Sequence, residues 1–205
     1  VGGAREDLRR PLADPTWSWV EATSFETTTR AEWLTLERQG DIWYRDLHTR
    51  EMLAMLEAQR GETTDGHRMN NYGHSLQTAT RALRDGADEE MVMVALFHDL
   101  GQNIAPNDHG EFAATVLRPF VGPENHWLVK RHTIFQRYHR LEHPTSDRLA
   151  REAFRGHPAF ERTALFCERW DQPAFDPDYP TLPLAAFEPI AYRFFARPPR
   201  FTDPM

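Results

Sequence analysis

Met91-Val-Met-Val-Ala-Leu-Phe-His98-Asp99-Leu-Gly101 is the stretch on which the reading of this chain turns. Met91, Val94 and Ala95 recur at helical spacing before His98, so the run predicts a helix whose apolar face ends in an imidazole. Asp99 follows about 100° further round, at the helix end. Asp88 is placed to cap this helix, Glu89 and Glu90 fall in its electropositive first turn, and Gly101 is expected to close it. A lone histidine on an apolar face is usually a core residue bonded to a carbonyl. Here it has company: His74 upstream, His109 and His132 downstream, and Asp171 further on. Imidazole and carboxylate together suit iron, manganese and zinc. His74, His98, Asp99, His109, His132 and Asp171 offer more donors than one ion needs, which suggests a two-metal site.

Outward from this run the pattern stays helical. Ala31 to about Ala58 carries Trp33, Leu34, Leu36, Ile42, Trp43, Leu47, Met52, Leu53, Met55 and Leu56, with Gly40 as the expected interruption. Tyr72 to Leu83 predicts a second helix, ended by Asp85-Gly86, where glycine supplies the left-handed stop. Asp108 to Leu117 predicts another, and Pro123 opens the next. Helical spacing returns over Asp147 to Phe154, over Pro158 to Trp170 and around Leu184 to Phe195. Nothing alternates like a strand. The expected fold is all-α, with a loosely organised arm over residues 1–30, holding Pro11, Pro15, Trp17 and Trp19, a helical domain over 31–205, and a Pro-rich tail (Pro173, Pro177, Pro180, Pro183).

Composition narrows the function. With 205 residues, 40% hydrophobic, the chain can bury a substantial core, which excludes a disordered protein. A formal charge of −7 gives no basic field for nucleic acid or an anionic membrane. No apolar run reaches the roughly 20 residues that span a bilayer, and the first residues lack the apolar core of a signal peptide. Cys167 is the only cysteine, so no intrachain disulfide can form; it is expected to be a buried small side chain in a cytoplasmic protein. A homo-oligomer is left open, and a small molecule is the expected partner.

The frame His74, His98-Asp99, Asp171 resembles the HD-domain superfamily, whose pattern is H…HD…D. The resemblance covers roughly Asn71 to Gln172, including Tyr72-Gly-His74-Ser-Leu-Gln77 and Leu96-Phe-His98-Asp99-Leu-Gly101. It implies an HD-type helical bundle. His109 and His132 fall where two-metal members place two further histidines. Within those members the chain is most similar to the mixed-valent di-iron oxygenases, the branch of the myo-inositol and hydroxyphosphonate oxygenases. His74-Ser-Leu-Gln-Thr-Ala-Thr, Asp85 to Gly101 and His132 with Arg137-Tyr138 carry that likeness. The implied cofactor is a pair of irons, Fe(II)/Fe(III), with manganese or zinc as the alternative. Asp99 would bridge them, with His74, His98 and Asp171 on one and His109 and His132 on the other. The implied reaction uses O2 to cleave a C–C or C–P bond of a hydroxylated substrate.

The chain departs from these relatives at particular positions. Gln102 stands where cyclic-dinucleotide hydrolases carry Lys, and Gln136 where phosphonate oxygenases carry a substrate-holding Lys. Thr64 and His67 fall where a gating Tyr and Glu are expected. Gln77, Gln102, Arg131, Gln136, Arg137 and Gln172 are the candidate substrate contacts, with Arg155 a further charge partner. Gln77, Tyr72 and Gln172 are also the candidates for orienting the histidines. His126, His139, His143 and His157 read as surface or loop histidines, His139 being near enough to His132 to reach the site. Trp170 reads as core or site wall, and Asp171 to Tyr179 as a lid. The competing function is a metal-dependent phosphohydrolase acting on a nucleotide or phosphomonoester. A non-enzymatic binding module is the third, and it leaves the six donors unexplained.

Overall fold

The computed structural model describes residues 16–200, so the first part of the arm, with Pro11 and Pro15, lies outside the described residues. Those residues form helices and no strand, and none of the helices is long and apolar enough to cross a membrane. The chain divides into two compact units, Val1–Arg50 and Glu51–Met205.

In the first unit, helix α1 begins at Arg30 and runs to Ala58, its last turns belonging to the second unit. It passes through Gly40 without a break, contrary to expectation: a single glycine costs a helix only about 1 kcal/mol. The described end of the arm is held to α1 by polar contacts. Gln39 accepts from the Ser18 amide at 2.7 Å and donates to the Ser18 carbonyl at 2.9 Å. Glu32 accepts from the amides of Glu21 and Ala22. Phe25 lies on Trp33, ring centroids 5.7 Å apart.

In the second unit, α2 (Asn71–Arg84) packs on α3 (Glu89–Phe97), and α4 (His109–Leu117) packs on α5 (Pro123–Gln136). A short helix α6 (Phe160–Phe166) continues into a π turn, Cys167–Asp171, which lies against α2 and α5. Helix α7 (Glu188–Phe195) covers α3. Met91 through Phe97 are all buried, so α3 is the central helix and has no polar face beyond its first turn. Phe97, Phe135, Phe166, Phe187, Phe194 and Phe195 fill the space around it.

Local chemistry explains where these elements stop. Gly86 takes φ +75, and the Ala87 amide reaches back to the Ala82 carbonyl at 3.0 Å, which closes α2 as the sequence suggests. The Asp88 carboxylate accepts from the Met91 amide at 2.8 Å. Replacing Asp88 with Ala is expected to cost about 1 kcal/mol, read as a lower urea midpoint with unchanged slope. Gly101 has a different part from the one expected. Helix α3 ends at Phe97, and a Cβ at Gly101 would sit 2.8 Å from the Phe112 side chain, so this glycine lets α4 cross the turn. The helix expected over Asp147 to Phe154 is only a 3-10 segment, Ala150–Phe154.

Candidate metal centre

The turn after α3 is fixed by main-chain capture. Asn71 donates to the Asp99 carbonyl at 3.0 Å, and Gln59 donates to the Leu100 carbonyl at 3.0 Å. With its backbone pinned, the turn directs His98 and Asp99 into the space between α2, α5 and the π turn. His98, His132 and Asp171 are fully buried, and His74 and Asp99 nearly so.

All six expected donors converge there. Asp99 Oδ2 lies 3.5 Å from the Nε2 atoms of both His74 and His98. Its other oxygen, Oδ1, lies 3.0 Å from His132 Nε2 and 3.3 Å from His109 Nε2. Asp171 Oδ1 adds to the first group, 3.2 Å from His74 and 3.6 Å from His98. His109 arrives on the first turn of α4 and is the most open of the six, its side chain 14% exposed.

Each imidazole is oriented by a carbonyl. Nδ1 of His98, His109 and His132 lies against the carbonyl three residues earlier, on Ala95 (2.9 Å), Pro106 (2.9 Å) and Val129 (2.7 Å). His74 Nδ1 meets the Ala174 carbonyl at 3.1 Å. A carbonyl can only accept, so Nδ1 carries the proton and Nε2 is the ring's remaining ligand atom. His74 Nε2 and His98 Nε2 lie 3.2 Å apart with carboxylate oxygens around them. Such crowding of lone pairs is relieved by a proton or by a cation. The donor set therefore fits a divalent ion: His74, His98 and Asp171 form one buried group able to hold a metal, and His98, Asp99 and His132 another.

Without an ion, a proton does this work. Burial opposes charge on His98, but Asp99 and Asp171 outweigh it and hold the ring up at about 9. Burial likewise opposes ionisation of Asp99 and Asp171, and the imidazoles overcome it, keeping both carboxyls below the usual range. Desolvation lowers His109, with Asp99 offsetting part of the effect. The His98 contribution to stability is thus full below its ordinary value of 6.5 and lost as pH rises toward 9. Metal-free protein is expected to lose about 3 kcal/mol between those limits, measured by denaturant titration. A metal bound through His98 Nε2 would displace the same proton, so its binding would tighten over the same range.

The remaining candidates separate by position. Gln102 and Gln136 line a cavity of about 820 Å³ that opens onto His74, Asp99 and His109. Gln136 donates to both Asp171 oxygens, at 2.7 and 2.8 Å. Gln77 is buried and holds the segment after the π turn, donating to the Asp176 carbonyl at 2.7 Å and accepting from its amide at 3.2 Å. Gln172 is exposed, beside a second depression that also holds His139 and Arg155. Arg131 lies over Phe154, and Arg137 is exposed; neither lines the cavity. Tyr72 faces Glu57 and Arg60. Trp170 makes a specific bond the sequence did not suggest, donating from Nε1 to Asp85 at 2.8 Å. The Cys167 thiol is buried and pushed up by desolvation and Asp171, so it stays protonated.

The structure adds Arg140 and Phe175. Arg140 lines the cavity, and its spacing of four from Gln136 and eight from His132 was the available signal. Phe175, from the segment read as a lid, stacks on His74 with centroids 4.4 Å apart. No protein-family model and no curated protein matches this chain.

Proposed function

We propose that the protein is a non-haem di-iron oxygenase that uses O2 to cleave a C–P or C–C bond of a small hydroxylated substrate. The observation that carries this reading is the division of Asp99 between two groups of imidazoles, Oδ2 toward His74 and His98 and Oδ1 toward His109 and His132. A carboxylate so placed is suited to bridge two ions. His74, His98 and Asp171 would hold one iron, and His109 and His132 the other. The irons, when bound, would supply the one-electron chemistry with O2. The resemblance to the HD-domain superfamily supports the same assignment of donors.

The protein's own contribution is arrangement. The Nδ1 tethers keep every Nε2 facing inward, so the donor set needs little reorganisation. Burial of His98, His132 and Asp171 keeps bulk water from that side of the donor set, and the cavity reaches the side formed by His74, Asp99 and His109. His109, less buried and beside the cavity, marks the side from which substrate and O2 approach. Gln102 and Gln136 can bond a substrate hydroxyl at the cavity wall, and Arg140 can pair with an anionic end of the substrate.

A metal-dependent phosphohydrolase is the second reading. It is favoured by the sufficiency of His74, His98 and Asp171 for one ion and by the cation of Arg140 at the cavity wall. That chemistry needs no redox change, so zinc or manganese would serve. Metal analysis of protein purified without oxygen, with an EPR spectrum after partial oxidation, separates the two. A pair of irons per chain with a mixed-valent signal is the oxygenase result. One ion, or zinc or manganese with no such signal, rules it out and favours hydrolysis.

A further inference from the structure

We infer that Gln136 is a positioning residue for the ion held by His74, His98 and Asp171, and that it uses a neutral amide to fix Asp171 without spending the charge of the donor set. The inference rests on reading the cluster as a metal centre. Gln136 ends α5, one turn beyond His132. Its Nε2 lies 2.7 Å from Asp171 Oδ1 and 2.8 Å from Oδ2. A carboxylate only accepts, so the NH2 group of the amide must face it.

Asp171 needs such a partner. It is fully buried at the end of the π turn, and its ion-pair contacts among the described residues are the imidazoles of His74 and His98, both on Oδ1. Without the amide this buried carboxylate would lose the neutral donor that reaches both of its oxygens, and an unsatisfied buried acceptor is costly. Gln136 bonds both oxygens and so fixes the plane of the carboxylate beside the two histidines. A lysine or arginine could make the same bond, but its charge would cancel one of the two carboxylates that offset the bound cation. The amide orients and leaves both charges in place.

The same side chain joins the metal set to the substrate space, since Gln136 also lines the cavity. With Nε2 committed to Asp171, the carbonyl oxygen is its remaining polar atom. It can accept a hydrogen bond from a substrate hydroxyl, and it repels an anionic group. Substrate anions would have to be met elsewhere on the wall, where Arg140 stands.

The test is a competition titration of metal-depleted full-length protein with zinc, against a chelator of known affinity. The comparison is wild type against Gln136→Met, a size-matched change that removes the donor. The expected result is a loss of about 10–100-fold in affinity for one ion, with the other unchanged. The same loss should persist in a His109→Ala background, which leaves the first ion as the one observed. Circular dichroism of the metal-free variant should match wild type. Equal affinities in variant and wild type would overturn the inference. So would equal weakening of both ions, which marks a general structural role. Wild-type protein that binds no zinc would sink the metal-centre reading itself, a result seen before any variant is compared.

Discussion

Replacing Asp99 with Asn is expected to empty both halves of the donor set at once. Its two oxygens serve two groups, so the change is felt at His74 and His98 through Oδ2 and at His109 and His132 through Oδ1. Removing one member of a buried charge pair costs about 3–5 kcal/mol, which at 1.4 kcal/mol per decade is roughly a 10²–10⁴-fold loss in ion affinity. On the proposed function, turnover would fall at least as far. The contrast with single-group variants makes the result diagnostic. His109→Ala and His132→Ala should release one ion and leave the other, whereas Asp99→Asn should leave neither at micromolar metal. Elemental analysis after gel filtration reads the difference directly. Retention of a full complement by Asp99→Asn would show that this carboxylate is a neighbour of the centre and no part of it.

Phe166→Ala should give the largest loss of stability. Phe166 is fully buried as the last residue of α6. Its ring meets the His98 ring edge-on, centroids 5.4 Å apart at 75°, and meets Trp170 in the same manner at 6.1 Å. Truncation leaves a cavity between the central helix and the π turn, at a cost of about 3–5 kcal/mol. Against the 5–15 kcal/mol of an ordinary domain, that is enough to populate unfolded protein on mild heating. Calorimetry of the metal-free variant would check it, because bound metal adds its own stabilisation and hides part of the loss. A shift under a degree would mean that the neighbouring rings close over the gap.

The convergence of the six side chains was legible because most stand in a local pattern: His98 and Asp99 after an apolar run, His74 in the first turns of an amphipathic helix, His109 at a helix start. Asp88, Asp85-Gly86 and Pro123 marked helix ends that the structure keeps, since caps act through bonds a few residues long. The features that lay beyond the sequence act at a distance or through main chain. Gln59 and Asn71 reach the turn after α3 from elements that carry no sign of the task. The orienting groups expected among Tyr72, Gln77 and Gln172 are carbonyls instead, and every residue has one. The π turn is similarly hidden. The Gln172 amide bonds the Cys167 carbonyl at 3.0 Å, a five-residue step, and within such a turn successive side chains step round by less than the roughly 100° of an α-helix. This brings Asp171 to the histidines and Trp170 to Asp85. Helical periodicity alone extends α6 through Trp170 and assigns those faces differently.

The carbonyl tethers also bear on how the site tolerates mutation. Side-chain replacement cannot delete a main-chain oxygen, so His98, His109 and His132 carry their orienting partners with them into any point variant that keeps the helix ends. A saturation screen around the cluster should therefore sort damage into two kinds: lost donors, and lost packing that moves the backbone. Asp171 is the exception, because its holder is a replaceable amide. For design toward a chosen metal, the histidines form a frame whose aim persists, and the carboxylate with its glutamine is the adjustable part.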